Sequence, residues 1–95
     1  MSEPKVQVVL MQRTDNSLFT KVRLGSEVKP NVIVEVAIND KGTDARNEGA
    51  VAIAGGALAE HLHQTYGDNI DAEETARAAR EAFQEMMSDF RGSLN

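Results

Sequence analysis

Few residues in this chain are of a type and spacing that could do chemistry, and the densest group is Glu60-His61-Leu62-His63. Imidazoles and carboxylates close together are a usual donor set for a metal ion. On a helix, however, His61 and His63 point about 200° apart and cannot hold one ion together. Glu60 and His63 do share a face at i,i+3, as in the Glu-x-x-His element of carboxylate-bridged di-iron bundles. Such a centre needs a second copy of the element and two further glutamates, which only a symmetric dimer would supply. A small metal-dependent protein using Glu60 and His63 across a dimer is therefore one reading. The plainer one is polar surface at the end of a buried helix, and no metal or other cofactor is expected.

Other catalytic arrangements are weaker still. The serines are Ser2, Ser17, Ser26, Ser88 and Ser93, all in expected turns, chain ends or an acidic helix, and none sits in a strand–turn–helix elbow. Gly55-Gly56 lacks the preceding strand, the Gly-x-Gly-x-x-Gly spacing and the lysine of a phosphate loop, so it reads as packing. Asp40-x-Gly42-x-Asp44 departs from a calcium loop in the place of its glycine and in having no glutamate at the twelfth position. The absence of cysteine excludes disulfides, thiolate zinc sites, iron–sulfur clusters and cysteine nucleophiles. The chain is expected not to be an enzyme.

Binding chemistry is better represented, because charge is divided along the chain. Residues 1–43 carry six basic against five acidic side chains, a net +1, whereas residues 44–95 carry four against ten, a net −6. Asp71, Glu74, Glu81, Glu85 and Asp89 gather on one side of the expected last helix and suit a basic protein partner. Lys5, Arg13, Phe19, Lys21 and Arg23 gather on one face of the expected sheet, a small platform for single-stranded nucleic acid. With Val9, Met11 and Ile33, the same face also reads as an apolar interface with a charged rim. The net charge of −5 repels phosphate at long range, which disfavours nucleic acid as the partner.

The elements that position these groups follow from periodicity. Ninety-five residues, 41% hydrophobic and 26% charged, fit one globular domain. No apolar run is long enough to span a membrane, and the first residues carry no apolar signal core, so a cytoplasmic protein is expected. Period-two alternation with β-branched residues predicts strands at 5–13, 18–24 and 31–39. Asp15-Asn16-Ser17 supplies turn chemistry between the first two. Pro30 delays the third strand, and Asn39-Asp40-Lys41-Gly42 forms the turn that follows it. Helices are predicted at 44–66, capped by Thr43 or Asp44 and closed by Gly67, and at 71–91, with Gly92 to Asn95 a frayed tail. The order β-β-β-α-α specifies an α+β domain: a three-stranded antiparallel sheet with a helical hairpin on one face. The expected core is Val6, Val8, Leu10, Val22, Leu24, Val32, Val34, Val36 and Ile38 against Val51, Leu58, Leu62, Phe83 and Phe90.

From Gly49 to Ala59 the chain has no polar side chain. A helix apolar all round has to be buried all round, and a short second helix cannot cover it. Self-association into a homodimer is therefore expected, through Val34, Ile53, Gly55 and Gly56. The leading reading is a small, acidic, non-enzymatic protein-interaction module. By docking its acidic helix on a nucleic-acid-binding surface it would inhibit the owner of that surface, as accessory proteins of phages and mobile elements do.

Overall fold

The computed structural model describes residues 5–25, 29, 31–39 and 44–93. Three strands, β1 (Lys5–Gln12), β2 (Leu18–Gly25) and β3 (Val32–Ala37), precede two helices, α1 (Asp44–Tyr66) and α2 (Ala72–Ser93). The strands form an antiparallel meander in the order β1-β2-β3, and both helices pack on one of its faces, an α+β arrangement. The expected turn at Asp40–Gly42, the Thr43 cap, the calcium-like loop and Pro30 lie outside the described residues.

The β1–β2 hairpin closes as its sequence requires. Asn16 takes a left-handed φ of 71°, which asparagine tolerates, and its N–H donates to the Arg13 carbonyl at 2.9 Å. The Asp15 carboxylate accepts from both the Ser17 N–H (3.0 Å) and the Ser17 hydroxyl (2.6 Å). Register then pairs Val6 with Leu24, Val8 with Val22 and Leu10 with Thr20 on the inner face. Across the other edge Val22 faces Val34 and Leu24 faces Val32. Thr20 stands wholly buried in this row, and its hydroxyl donates to the Val36 carbonyl at 3.3 Å.

The core is centred on Val22, Leu24, Val51, Leu58, Ala59, Leu62, Ala79 and Phe83. Leu10 is half-buried. Phe90, expected at the centre, is 38% exposed near the end of α2 and lies outside the core cluster. α2 runs to Ser93, so Gly92 belongs to the helix and not to a tail.

The apolar stretch of α1 is not buried all round. Its outer side, Ala50, Ile53 and Ala57, faces solvent, with Ile53 75% exposed. Gly55 and Gly56 face α2 of the same chain. A Cβ added at Gly55 would lie 2.8 Å from the Ala79 Cβ and 3.2 Å from the Thr75 carbonyl oxygen. At Gly56 it would meet the Ala72 carbonyl oxygen at 3.5 Å and the Ala76 Cβ at 3.6 Å. The glycines thus let two backbones of one hairpin approach, and this contact offsets the roughly 1 kcal/mol that each costs a helix. Val34 points inward and packs against the core. Of the four residues expected at a dimer contact, the fold itself occupies Val34, Gly55 and Gly56, and Ile53 alone stands open.

Two polar devices hold the layers in place. Asn47, only 7% exposed, mimics a strand partner: its Oδ1 accepts from the Asn39 N–H and its Nδ2 donates to the Asn39 carbonyl, both at 3.2 Å. This ties the chain beyond β3 to the start of α1. At the far end of the hairpin Arg91 bridges to Asp44, and Gln84 donates to Glu48, so the helices run antiparallel.

Candidate functional site

α1 ends where Gly67 adopts a φ of 70° and its N–H donates to the His63 carbonyl at 3.0 Å, the left-handed cap that the sequence implies. The turn folds the Asp68 carbonyl back to within 2.9 Å of His63 Nδ1. Glu60 and His63 line a shallow recess with Asn69, Ile70, Asp71 and Ala72. His61 lies elsewhere, against Thr65 Oγ1 at 3.3 Å and edge-on to Tyr66. Among the described residues no three His, Asp or Glu side chains converge as a metal site. The Glu60–His63 pair is therefore a two-residue feature of a helix end.

α2 places the five acidic residues in three different situations. Asp71 is the helix cap: its Oδ1 accepts from the Glu73 N–H at 2.9 Å and the Glu74 N–H at 3.3 Å. It therefore serves the fold as well as standing in the expected partner-binding set. Glu74 is half-buried. Glu81, Glu85 and Asp89 are exposed, and among the described residues their carboxylates make no hydrogen bond or ion pair. They fall within about 80° of one another on the helix circumference. Arg77 and Arg80 are exposed too, so the solvent side of α2 is an acidic flank beside a basic one and not a uniformly acidic face.

The outer face of the sheet, away from both helices, carries Lys5, Gln7, Val9 and Met11 from β1. Register sets these against Gly25, Arg23, Lys21 and Phe19 of β2. Ile33, Glu35 and Ala37 complete it from β3, opposite Arg23, Lys21 and Phe19. All the residues expected on one basic face are thus brought together. Their disposition differs from a stacking platform in one respect. Phe19 is only 7% exposed, because the Arg13 guanidinium lies 4.2 Å from its ring centroid. Arg13 reaches on toward Glu35, 3.8 Å away. The cation–π contact covers the one aromatic surface a base would need. Nothing in the sequence marked this, since Arg13 lies past the last β1 pair and returns over the sheet only once the hairpin is built. Val9 (48%), Met11 (37%) and Ile33 (49%) remain exposed beside it.

Asn47 was also missed, although a signal existed. It falls on the stripe of Val51, Leu58 and Leu62, where a lone amide must find buried partners.

The fold and its surfaces define a small α+β protein with a meander sheet open on one side. No protein-family model, curated protein or solved structure matches the chain. No helix among the described residues is long and apolar enough to cross a membrane.

Proposed function

We propose that this chain is a non-enzymatic protein-interaction module that presents the acidic flank of α2 to a basic surface of a partner protein. The observation that carries this reading is the state of Glu81, Glu85 and Asp89: exposed, on one flank and, among the described residues, without an intramolecular partner. Like charges at Glu81 and Glu85, i,i+4 apart, oppose the helix by a few tenths of a kcal/mol. A partner rich in lysine and arginine would relieve that repulsion and be steered in by it. Where that surface normally takes nucleic acid, docking blocks it, and the module acts as an inhibitor. Asp71 drops out of the contact set because the cap occupies it, and Glu74 contributes at the margin.

Reversing Glu81, Glu85 and Asp89 to lysine tests the reading. The variant should keep the parental circular dichroism and melting midpoint, and lose the proteins that the parent captures from the cells encoding it. Capture of the same proteins at parental strength would leave the acidic flank as solvated surface and end the proposal.

A further inference from the structure

We propose that the outer face of the sheet is a second docking surface, one that takes an acidic, amphipathic segment of a partner protein. This goes beyond the acidic-helix reading and concerns the opposite side of the molecule.

The face combines two properties that are uncommon together. Its apolar content is Val9, Met11 and Ile33, each between 37% and 49% exposed, although the helices cover the other side of the same strands. Among the described residues its charge is four cations, Lys5, Arg13, Lys21 and Arg23, against the single carboxylate of Glu35. That is a net +3 on a chain whose total is −5. Arg13 is engaged with Phe19 and Glu35, and Arg23 bonds Asn31 Oδ1. Among the described residues the ammonium groups of Lys5 and Lys21 have neither a hydrogen bond nor an ion pair. Lys21 stands on the central strand, directly opposite Val9 on one side and Glu35 on the other. Arg23 likewise stands opposite Ile33. Each outward-facing cation of β2, half-buried Lys21 and exposed Arg23, is thus next to an exposed aliphatic side chain.

That pattern selects the occupant. A partner must bring carboxylates to Lys21, Arg23 and Lys5, and aliphatic groups to Val9, Met11 and Ile33. An acidic amphipathic peptide segment has both. Nucleic acid has the charge but would meet aliphatic side chains, with the sole ring of the face covered by Arg13. A second copy of this chain, docking the acidic flank of its α2 here, would bring the carboxylates of Glu81, Glu85 and Asp89 but no exposed aliphatic side chain among them to meet Val9, Met11 and Ile33.

Amide chemical-shift titration of the full chain tests the proposal. The probe is a synthetic helical peptide of about 18 residues with leucine and glutamate along one side. A version with glutamine in place of glutamate and a short thymidine oligonucleotide serve as comparisons. The Leu/Glu peptide should shift amides of β1, β2 and β3 and leave α2 unmoved. Lys21→Glu with Arg23→Glu should weaken binding at least about tenfold, as should Val9→Thr with Ile33→Thr. All four side chains point outward, so amide dispersion should persist; if a charge reversal disturbs it, Lys21→Gln with Arg23→Gln replaces it. The proposal is overturned if the peptide shifts only α2 or binds the variants as tightly as the parent. It is overturned equally if the glutamine version binds as well, if the oligonucleotide binds where the peptide does not, or if the free protein already covers this face by associating with itself.

Discussion

Alanine substitutions at Gly49, Gly55 and Gly56 test the helix crossing most directly. All three lie inside α1, so each change to alanine brings the same gain of about 1 kcal/mol in helix propensity. Their surroundings differ. Gly49 has nothing within 4 Å of an added Cβ, and at Gly56 the nearest atoms, at 3.5 and 3.6 Å, are in ordinary contact. Both variants should keep the full gain, which in a domain of this size raises the melting midpoint by roughly 4–8 °C. At Gly55 the added carbon would lie 2.8 Å from the Ala79 Cβ. That atom is fixed to the α2 backbone and has no rotamer by which to retreat. Ordinary carbon contacts are about 3.5–4.0 Å, so the helices must part by most of an ångström. Overpacking of this kind costs about 1–3 kcal/mol, leaving Gly55→Ala about 0–2 kcal/mol less stable than the parent. Adding Ala79→Gly should remove the clash, and in a double-mutant cycle the two changes should couple favourably. Thermal and urea unfolding followed by far-ultraviolet circular dichroism measures all of these. A Gly55→Ala midpoint raised as far as that of Gly49→Ala would refute the close crossing.

Other expectations follow from single contacts. Phe83 is 1% exposed and Phe90 38%; Phe83→Ala should cost about 3–5 kcal/mol and Phe90→Ala clearly less, and equal losses in urea unfolding would contradict the burial of α2. Asn47→Ala should cost about 0.5–1.5 kcal/mol per bond, because it removes both hydrogen bonds to the Asn39 backbone, and hydrogen exchange at the Asn39 amide should quicken with it. The Ser17 hydroxyl, and then the Ser17 N–H, hold the Asp15 carboxyl below its ordinary 3.8. A lowered folded value stabilises the hairpin above the ordinary pKa, and this support is lost as pH falls through the lowered value. A carbon-detected titration should find Asp15 below 3.8 in the parent and nearer it in Ser17→Ala; a parental midpoint at or above 3.8 would show that the Ser17 bonds do not form.

The strands were legible because Val6-Val8, Val22-Leu24 and Val32-Val34-Val36 alternate cleanly, and a one-residue slip would turn every one of them to solvent. Gly67 and Asn16 were legible because left-handed backbone has few tolerant residue types. The apolar run of α1 misled for a physical reason. A run without polar side chains implies burial, yet alanines at 50 and 57 lose little by facing water, and the glycines answer to α2 at a distance periodicity does not encode. The acidic set was legible as composition but not as roles, since Asp71 became a cap only when the turn fixed its backbone. The face that carries Arg13 was legible, but its stacking on the Phe19 ring was not. Which cation covers Phe19 depends on the hairpin's closing geometry, which brings Arg13 back over the ring.

With Gly55 and Gly56 taken up inside the hairpin, the described residues present an acidic flank on α2 and a basic sheet face, and salt should tell them apart. The acidic flank of α2 has Glu81, Glu85 and Asp89 and no large exposed apolar residue among them. A partner held there is held by exposed charge, which a Debye length of about 8 Å at physiological ionic strength, falling to about 3 Å at 1 M, largely screens. The sheet face adds Val9, Met11 and Ile33 to its cations. Burial of aliphatic surface contributes about 25 cal/mol per Å² and is not screened by salt. A partner of α2 should therefore release almost completely as salt rises, whereas a partner of the sheet should weaken to a plateau. Val9→Thr with Ile33→Thr should abolish that plateau and leave the low-salt slope unchanged. If binding to the sheet face vanished at high salt as fully as binding to α2, its aliphatic residues would contribute nothing, and the surface would reduce to its cations.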